Sequence, residues 1–254
     1  MSGTATTGKG LVTLTDKLTY NEKYSAEATK SGKFMPIVDG QHPDVTLVTC
    51  SDSRVTGRVL DDEIGKIFSI KNIGNRVEPN LGSIEYGVGH LHTPILMIMG
   101  HTGCGAVHAS TLELKDEHAR ILKSLDFIKP TVADVQKLLI KRGGLKAYRK
   151  DTKAEPVTAI SDEAYFETLV TEANVDRQIE NLLNDSSIRN LVYTDKLMIV
   201  GTIYDFKDIY SDKKGSVFVI NINGETGVEK LKKLAVAGGD GRIVVSNIKR
   251  MLVY

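Results

Sequence analysis

The chain has 254 residues, 41% of them hydrophobic, and carries 33 basic against 32 acidic residues for a formal charge of +1. Such a length buries a sizeable core in one or two domains, and the balanced charge excludes a bulk electrostatic attraction to nucleic acid or to a membrane surface. Two cysteines make no disulfide framework and point to a reducing compartment; no apolar run approaches the ~20 residues of a bilayer crossing, and the first residues carry neither a secretory apolar core nor the arginines of a transit peptide, so a cytoplasmic protein is expected.

In chain order, residues 1–10 read as disordered. Residues 14–30 fit an amphipathic helix with Leu18, Tyr20 and Tyr24 on its packing face. After a loop over 32–43, the apolar run 45–49 reads as a strand ending in Cys50, and a second strand is expected at about 66–71. Residues 81–91 place small side chains on one side and Ile84 and Val88 on another, which suits a helix packed closely on its neighbour. The run 94–99 is apolar without alternation, the pattern of a strand buried on both faces. A short helix over 104–112 follows. Residues 113–165 are rich in Lys, Asp and Glu and read as a helical insertion, solvent-facing or interfacial. A helix at 174–184, strands at 197–202 and 217–222 and an Asn223-Gly224 turn come next. A C-terminal extension from about 228, with one short helix and the apolar run 243–254, completes the chain.

Strands alternating with helices read as an α/β protein with a mostly parallel sheet, expected as five strands in the order 2-1-3-4 with an antiparallel edge strand 5, flanked by helices. In such sheets, sites form beyond the carboxyl ends of the strands, where strand order reverses. With the second strand outside the first and the third on its other side, Cys50 and His101 meet at that crevice. The whole of 1–254 is read as one domain, its 14–30 helix an N-terminal arm.

Chemistry concentrates at those strand ends. Cys50 closes the first strand and precedes Ser51-Asp52-Ser53-Arg54; His101 and Cys104 follow the third among glycines. Taken singly, each cysteine reads as a small buried hydrophobe, and a Cys/His catalytic pair is a second reading. A nucleophilic thiol needs only one cysteine, however, and two sulfurs with one imidazole are the donor types zinc prefers, with a fourth position left open. Cys104 at a helix N-terminus is further favoured as thiolate by the helix dipole. Asp52 and Arg54, two apart on a turn, read as a surface ion pair of little worth, or as a pair in which Arg54 keeps Asp52 ionised beside the metal. Asp52 as a fourth metal ligand is a third possibility.

CSDSR at 50–54 and HTGCG at 101–105 closely resemble the β-class carbonic anhydrases, and IKNIGN at 70–75, GSIEYGV at 82–88 and NVDRQI at 174–179 are similar to family segments. The resemblance implies one Zn²⁺ per chain on Cys50, His101 and Cys104, with Asp52 and Arg54 orienting a zinc-bound hydroxide that attacks CO₂. It implies substrate-pocket roles, as in the plant-like branch, for Gln41, Phe68, Tyr86 and Gly105, whose plain readings are a loop amide, two core aromatics and a turn. It further implies a homodimer or higher even-numbered homo-oligomer, with the pocket at the subunit boundary and the N-terminal arm embracing the partner. His42, beside Gln41, reads as a solvated loop residue or a proton relay at the rim. The expected function is reversible hydration of CO₂ to bicarbonate. The alternatives are hydrolysis of carbonyl sulfide or carbon disulfide on the same site, and a structural zinc protein or bicarbonate sensor.

Overall fold

A computed structural model describes residues 3–61, 63–237 and 240–254, with residues 3–7 described by backbone alone. The chain divides into two compact units, Met1–His42 and Pro43–Tyr254. The first is built on one long helix, α1 (Gly3–Ser31), and a single 3₁₀ turn at Met35–Ile37. Helix occupies residues 3–10, where disorder is expected; Met1 and Ser2 lie outside the described residues. Nothing in 3–31 breaks a helix, and the hydroxyls of Thr13 and Thr15 donate back to the carbonyls of Lys9 and Leu11. Of the expected packing face, Leu18 and Tyr20 are exposed, together with Leu11, Val12 and Leu14. Only Tyr24 packs, edge to face on Phe34 with ring centroids 6.5 Å apart.

The second unit holds a five-stranded sheet in the order β2-β1-β3-β4-β5. In chain order the strands are β1 (Val45–Cys50), β2 (Ile67–Asn72), β3 (Ile95–His101), β4 (Met198–Asp205) and β5 (Ser216–Ile222). The first four run parallel, and β5 pairs antiparallel with β4. This is the expected strand order, with the antiparallel strand at the edge.

Between β2 and β3 lies α2 (Leu81–Glu85), which passes into a π-helical turn at Tyr86–His90 rather than continuing as one α-helix. After β3 come α3 (Gly105–Ser110), α4 (Ala119–Leu125), α5 (Lys129–Lys141) and α6 (Leu145–Thr152). The last three fall in the expected helical insertion, but they are not a solvent-facing layer. Leu125, Ile128, Val132, Val135, Leu139 and Tyr148 are buried in the same cluster as the sheet residues Val48, Leu96 and Ile98. The charged residues of this segment occupy the outer face, and the apolar ones recur at helical spacing inside it.

Helix α7 (Asp162–Asn184) is twice the length expected for it and packs on β3 and β4. A Cβ at Gly100 would sit 2.9 Å from Val175 Cγ2 and 3.1 Å from Thr171 Cγ2, so glycine lets the helix approach the strand. The buried polar residues of α7 hold the loop after β2. Asn174 Nδ2 donates to the Gly74 carbonyl at 3.0 Å, and Gln178 Oε1 accepts from the Val77 N–H at 3.0 Å. Helices α8 (Ser186–Tyr193), α9 (Val228–Ala237) and α10 (Arg242–Ser246) complete the unit; α8 and α10 have no counterpart in the sequence reading.

The segment after α10 returns to α7. Arg250 pairs with Asp176 and donates to the Ile220 carbonyl at 2.9 Å. The backbone N–H groups of Met251 and Leu252 donate to the fully buried Glu172 at 2.8 and 2.7 Å, and Tyr210 Oη donates to the same carboxylate at 2.5 Å.

Candidate metal centre

Parallel pairing aligns the carboxyl ends of β1 and β3: Thr49 lies opposite Met99, so Cys50 and His101 leave the sheet at the same edge. The chain then turns through Gly103, whose φ of 63° is the left-handed region that favours glycine. Cys104 follows as the N-cap of α3. The two sulfurs and one ring nitrogen of His101 lie within 4.8 Å of one another, and all three residues are buried.

The electrostatics of the cluster favour anionic sulfur. Cys50 accepts hydrogen bonds from the backbone N–H groups of Gly74 and Asp52, and Cys104 from those of Ala106 and Val107. The hydrogen bond from Cys104 is the largest influence on Cys50 and brings its thiol down to about 4, while the same contact and burial push Cys104 up. A divalent cation bound here would favour both sulfurs as thiolates.

His101 completes the donor set. Its Nδ1 lies 3.1 Å from the Thr102 carbonyl, an acceptor only, so Nδ1 carries the proton and Nε2 the free lone pair. That Nε2 is buried and has no hydrogen-bond partner. An unpaired buried acceptor beside such a pair of sulfurs is costly unless something electropositive occupies the space. Two sulfurs and one imidazole nitrogen are the ligands of a zinc-type ion, and the residues fit it.

Beside the cluster, Arg54 grips Asp52 in a two-pronged contact: Nε to Oδ1 at 2.9 Å and Nη2 to Oδ2 at 2.6 Å, with the Arg54 backbone N–H on Oδ1 at 2.9 Å. The Arg54 side chain is the first cause that holds the Asp52 carboxyl far below the usual carboxylate range. Asp52 Oδ2 lies 3.9 Å from His101 Nε2. The guanidinium also donates to the Gly103 carbonyl at 3.2 Å and lies over the Phe206 ring, 4.4 Å from its centroid.

Phe206 was not legible as a site residue. It stacks on the His101 ring with centroids 5.6 Å apart, so one ring supports both that imidazole and the guanidinium that holds Asp52. The only signal is a polar residue closing β4: Asp205 Oδ2 accepts from Tyr210 N–H at 2.7 Å and Oδ1 from Lys207 N–H at 3.0 Å, which fixes the turn bearing Phe206.

The remaining pocket residues are placed differently. Gly105 begins α3 directly after Cys104. Phe68 and Tyr86 meet each other, with ring centroids 5.9 Å apart, and Tyr86 stacks on His90 at 4.6 Å. Phe68 lies opposite Thr46, whereas Cys50 lies opposite Asn72. At roughly 3.3 Å per residue the aromatic pair sits about 13 Å back along the strand from the level of Cys50. Gln41 and His42 are in the first unit, where Gln41 is exposed.

A mostly parallel α/β sheet thus gathers two sulfurs, an imidazole and an arginine-held carboxylate at its carboxyl edge, a donor set that suits a metal ion. Comparison with known proteins agrees. A sequence profile of the carbonic anhydrase family matches residues 45–217. The carbonic anhydrase of Synechococcus elongatus is 32% identical over 180 residues, which cover 68% of this chain and 60% of that protein. Carbonic anhydrase 2 of Mycobacterium tuberculosis is 37% identical over 79 residues, 30% of this chain and 38% of that one. The aligned stretches thus span less than two thirds of either relative.

Among solved structures, a tetrameric β-carbonic anhydrase of Sordaria macrospora superposes with a TM-score of 0.66 at 23% identity, covering 82% of this chain and 97% of that one. The Coccomyxa β-carbonic anhydrase solved with acetazolamide gives 0.64 at 24% identity, covering 87% and 91%. The chain belongs to the carbonic anhydrase family, and its fold is that of the β class.

Proposed function

We propose that this chain catalyses the reversible hydration of CO₂ to bicarbonate and a proton, with one Zn²⁺ held by Cys50, His101 and Cys104. The observation that carries the reading is a buried cluster of two sulfurs and one His101 ring nitrogen within 4.8 Å of one another, with the Nε2 of His101 unpartnered. When bound, zinc lowers the pKa of a coordinated water toward neutrality and so supplies the nucleophile.

The protein's own groups do the rest. Asp52, kept ionised by Arg54, can only accept a hydrogen bond, so it orients a proton-bearing nucleophile on its open side and fixes the direction of attack. Arg54 holds that geometry through the Gly103 carbonyl and the Phe206 ring. With both oxygens of Asp52 engaged by Arg54, orientation is a better-supported role for it than metal ligation. The Gly105 N–H is a candidate donor toward a CO₂ oxygen. We assign the apolar wall for CO₂ to Phe68 and Tyr86 and a positioning amide to Gln41. Because Phe68 and Tyr86 lie back along the sheet from Cys50, a second copy of the chain supplies them, which makes the working unit a homodimer or a larger even-numbered assembly. The exposed apolar residues of α1 support that unit, as a surface for the partner.

The test combines zinc content per chain with stopped-flow CO₂ hydration. Wild type is expected to hold one zinc and to hydrate CO₂. Asp52→Ala is expected to keep zinc and lose about 10²-fold in kcat/KM, the scale of one oriented polar group. Cys104→Ser is expected to lose zinc. A zinc-loaded wild type that fails to turn over CO₂, or an Asp52→Ala variant with unchanged rate, overturns the reading. Sulfide release from carbonyl sulfide, measured in parallel, reports the alternative substrate.

A further inference from the structure

Two arginines of the second unit are buried to the same degree, Arg76 and Arg250, each 8% exposed. Arg250 is paired with Asp176. Arg76 forms no ion pair among the described residues, and its Nε has no hydrogen-bond acceptor. Its guanidinium instead lies over the Phe127 ring, 4.5 Å from the centroid. An aromatic face attracts the cation but satisfies none of its N–H groups. Burial is the leading influence on this arginine and disfavours its charge, yet a guanidinium does not give up its proton in a protein. A buried, charged donor without an acceptor demands a partner.

The surroundings indicate which one. Arg76 lines a pocket of about 380 Å³ with Glu78, Arg120, Lys123, Ser124 and Phe127. Arg120 and Lys123 are three apart on α4 and exposed, and neither forms an ion pair among the described residues. Glu78 is the one acid of this wall: it favours the Arg76 charge electrostatically, its Oε1 is engaged by Asn181 Nδ2 at 2.6 Å, and its Oε2 is buried without a hydrogen-bond partner. Three cations against one carboxylate leave two net positive charges around a single concavity. The neighbouring Asn75 Nδ2 is a second buried donor without an acceptor. The main chain beneath Arg76 is rigid: its N–H donates to Asn72 Oδ1 and its carbonyl accepts from Asn72 Nδ2, both at 2.8 Å. A fixed arginine flanked by two exposed cations matches the forked, multiply charged geometry of phosphate, whereas a single carboxylate would leave positive charge unmatched.

We propose that this pocket is a binding site for a phosphate-type oxyanion, held by Arg76 within the pocket and by Arg120 and Lys123 at its rim, and separate from the Cys50–His101–Cys104 centre. The exposed part of Phe127 offers an apolar wall to a substituent carried by the phosphate. The proposal does not depend on the reaction assigned to the metal centre.

The test titrates the zinc-loaded full chain with inorganic phosphate and with phenyl phosphate by calorimetry, at constant ionic strength held with chloride. Saturable binding of one anion per chain is expected, at millimolar affinity or tighter. The double variant Arg120→Ala/Lys123→Ala is expected to weaken it at least tenfold, with zinc content and far-ultraviolet circular dichroism unchanged. Arg76→Met is expected to abolish it. Because Arg76→Met can disturb folding, the surface double variant keeps the result decisive. Tighter binding of phenyl phosphate identifies a phosphate ester as the natural occupant, and equal binding identifies the free ion. No saturable binding up to 50-fold above ~1 mM, or binding that the double variant leaves unchanged, overturns the proposal; the second result would place the anion at the metal centre instead.

Discussion

Phe206 shows how much one unremarked side chain can carry. Its ring supports the His101 imidazole on one hand and the Arg54 guanidinium on the other. Phe206→Ala should therefore loosen the proposed metal ligand His101 and the arginine that holds Asp52 together. Zinc affinity is expected to fall about tenfold, in the range known for residues that support metal ligands, and CO₂ hydration to fall further than zinc occupancy does. Competition with a chelator, read beside the hydration rate, separates the two losses. Asp185 provides a pH-dependent test away from the site. Its Oδ1 caps α8 by accepting from Ser187 N–H at 2.8 Å and Ile188 N–H at 3.1 Å. The Ser187 hydroxyl is the first cause that lowers its pKa. A depressed carboxylate contributes stability above its ordinary value of about 4 and loses it as pH falls through the lowered one. Asp185→Ala should cost about 1 kcal/mol near pH 7, as loss of an N-cap does, with the gap to wild type closing on acidification. Urea unfolding at pH 7 and pH 3 compares the two.

At the scale of elements, α7 organises the second unit, and only its second half was readable. Residues 174–184 have the spacing of a helix, whereas 162–173 look mixed because Tyr165, Leu169, Val170 and Ala173 are buried among Thr168, Thr171 and Glu172, which are buried as well. A helix covered on most sides shows no polar face to give it away. The insertion is helical as expected, but its buried side is hidden for the opposite reason: its Lys, Asp and Glu dominate composition while a narrow apolar stripe enters the core. The strands were legible to within three residues at each end, since unbroken apolar runs ending at Gly or polar turns are what a parallel sheet requires. Two substitutions test α7. Ser161 Oγ accepts from Ala164 N–H at 3.1 Å as its N-cap, and Ser161→Ala should cost about 1 kcal/mol. Gly100→Ala forces a methyl against Val175 and Thr171 and should cost about 1–3 kcal/mol, read as a lower thermal midpoint.

For the molecule as a whole, the strand order and the meeting of Cys50 with His101 followed from local patterns, because parallel crossovers leave few arrangements. The tie between the final residues and α7 did not, because no periodicity relates Arg250 to Asp176 or the 251–252 backbone to Glu172. Arg250→Met leaves Asp176 and Glu172 without their cation and should cost about 3–5 kcal/mol, the price of breaking a buried pair. Calorimetric melting of the variant beside wild type checks it; a loss below ~1 kcal/mol would make the tie peripheral. The same tie has a temporal meaning. Glu172 waits for donors 79 and 80 positions further along. A polypeptide leaving the ribosome therefore keeps this acid in water until those positions emerge, so the core around α7 closes only after 251–252 have been made.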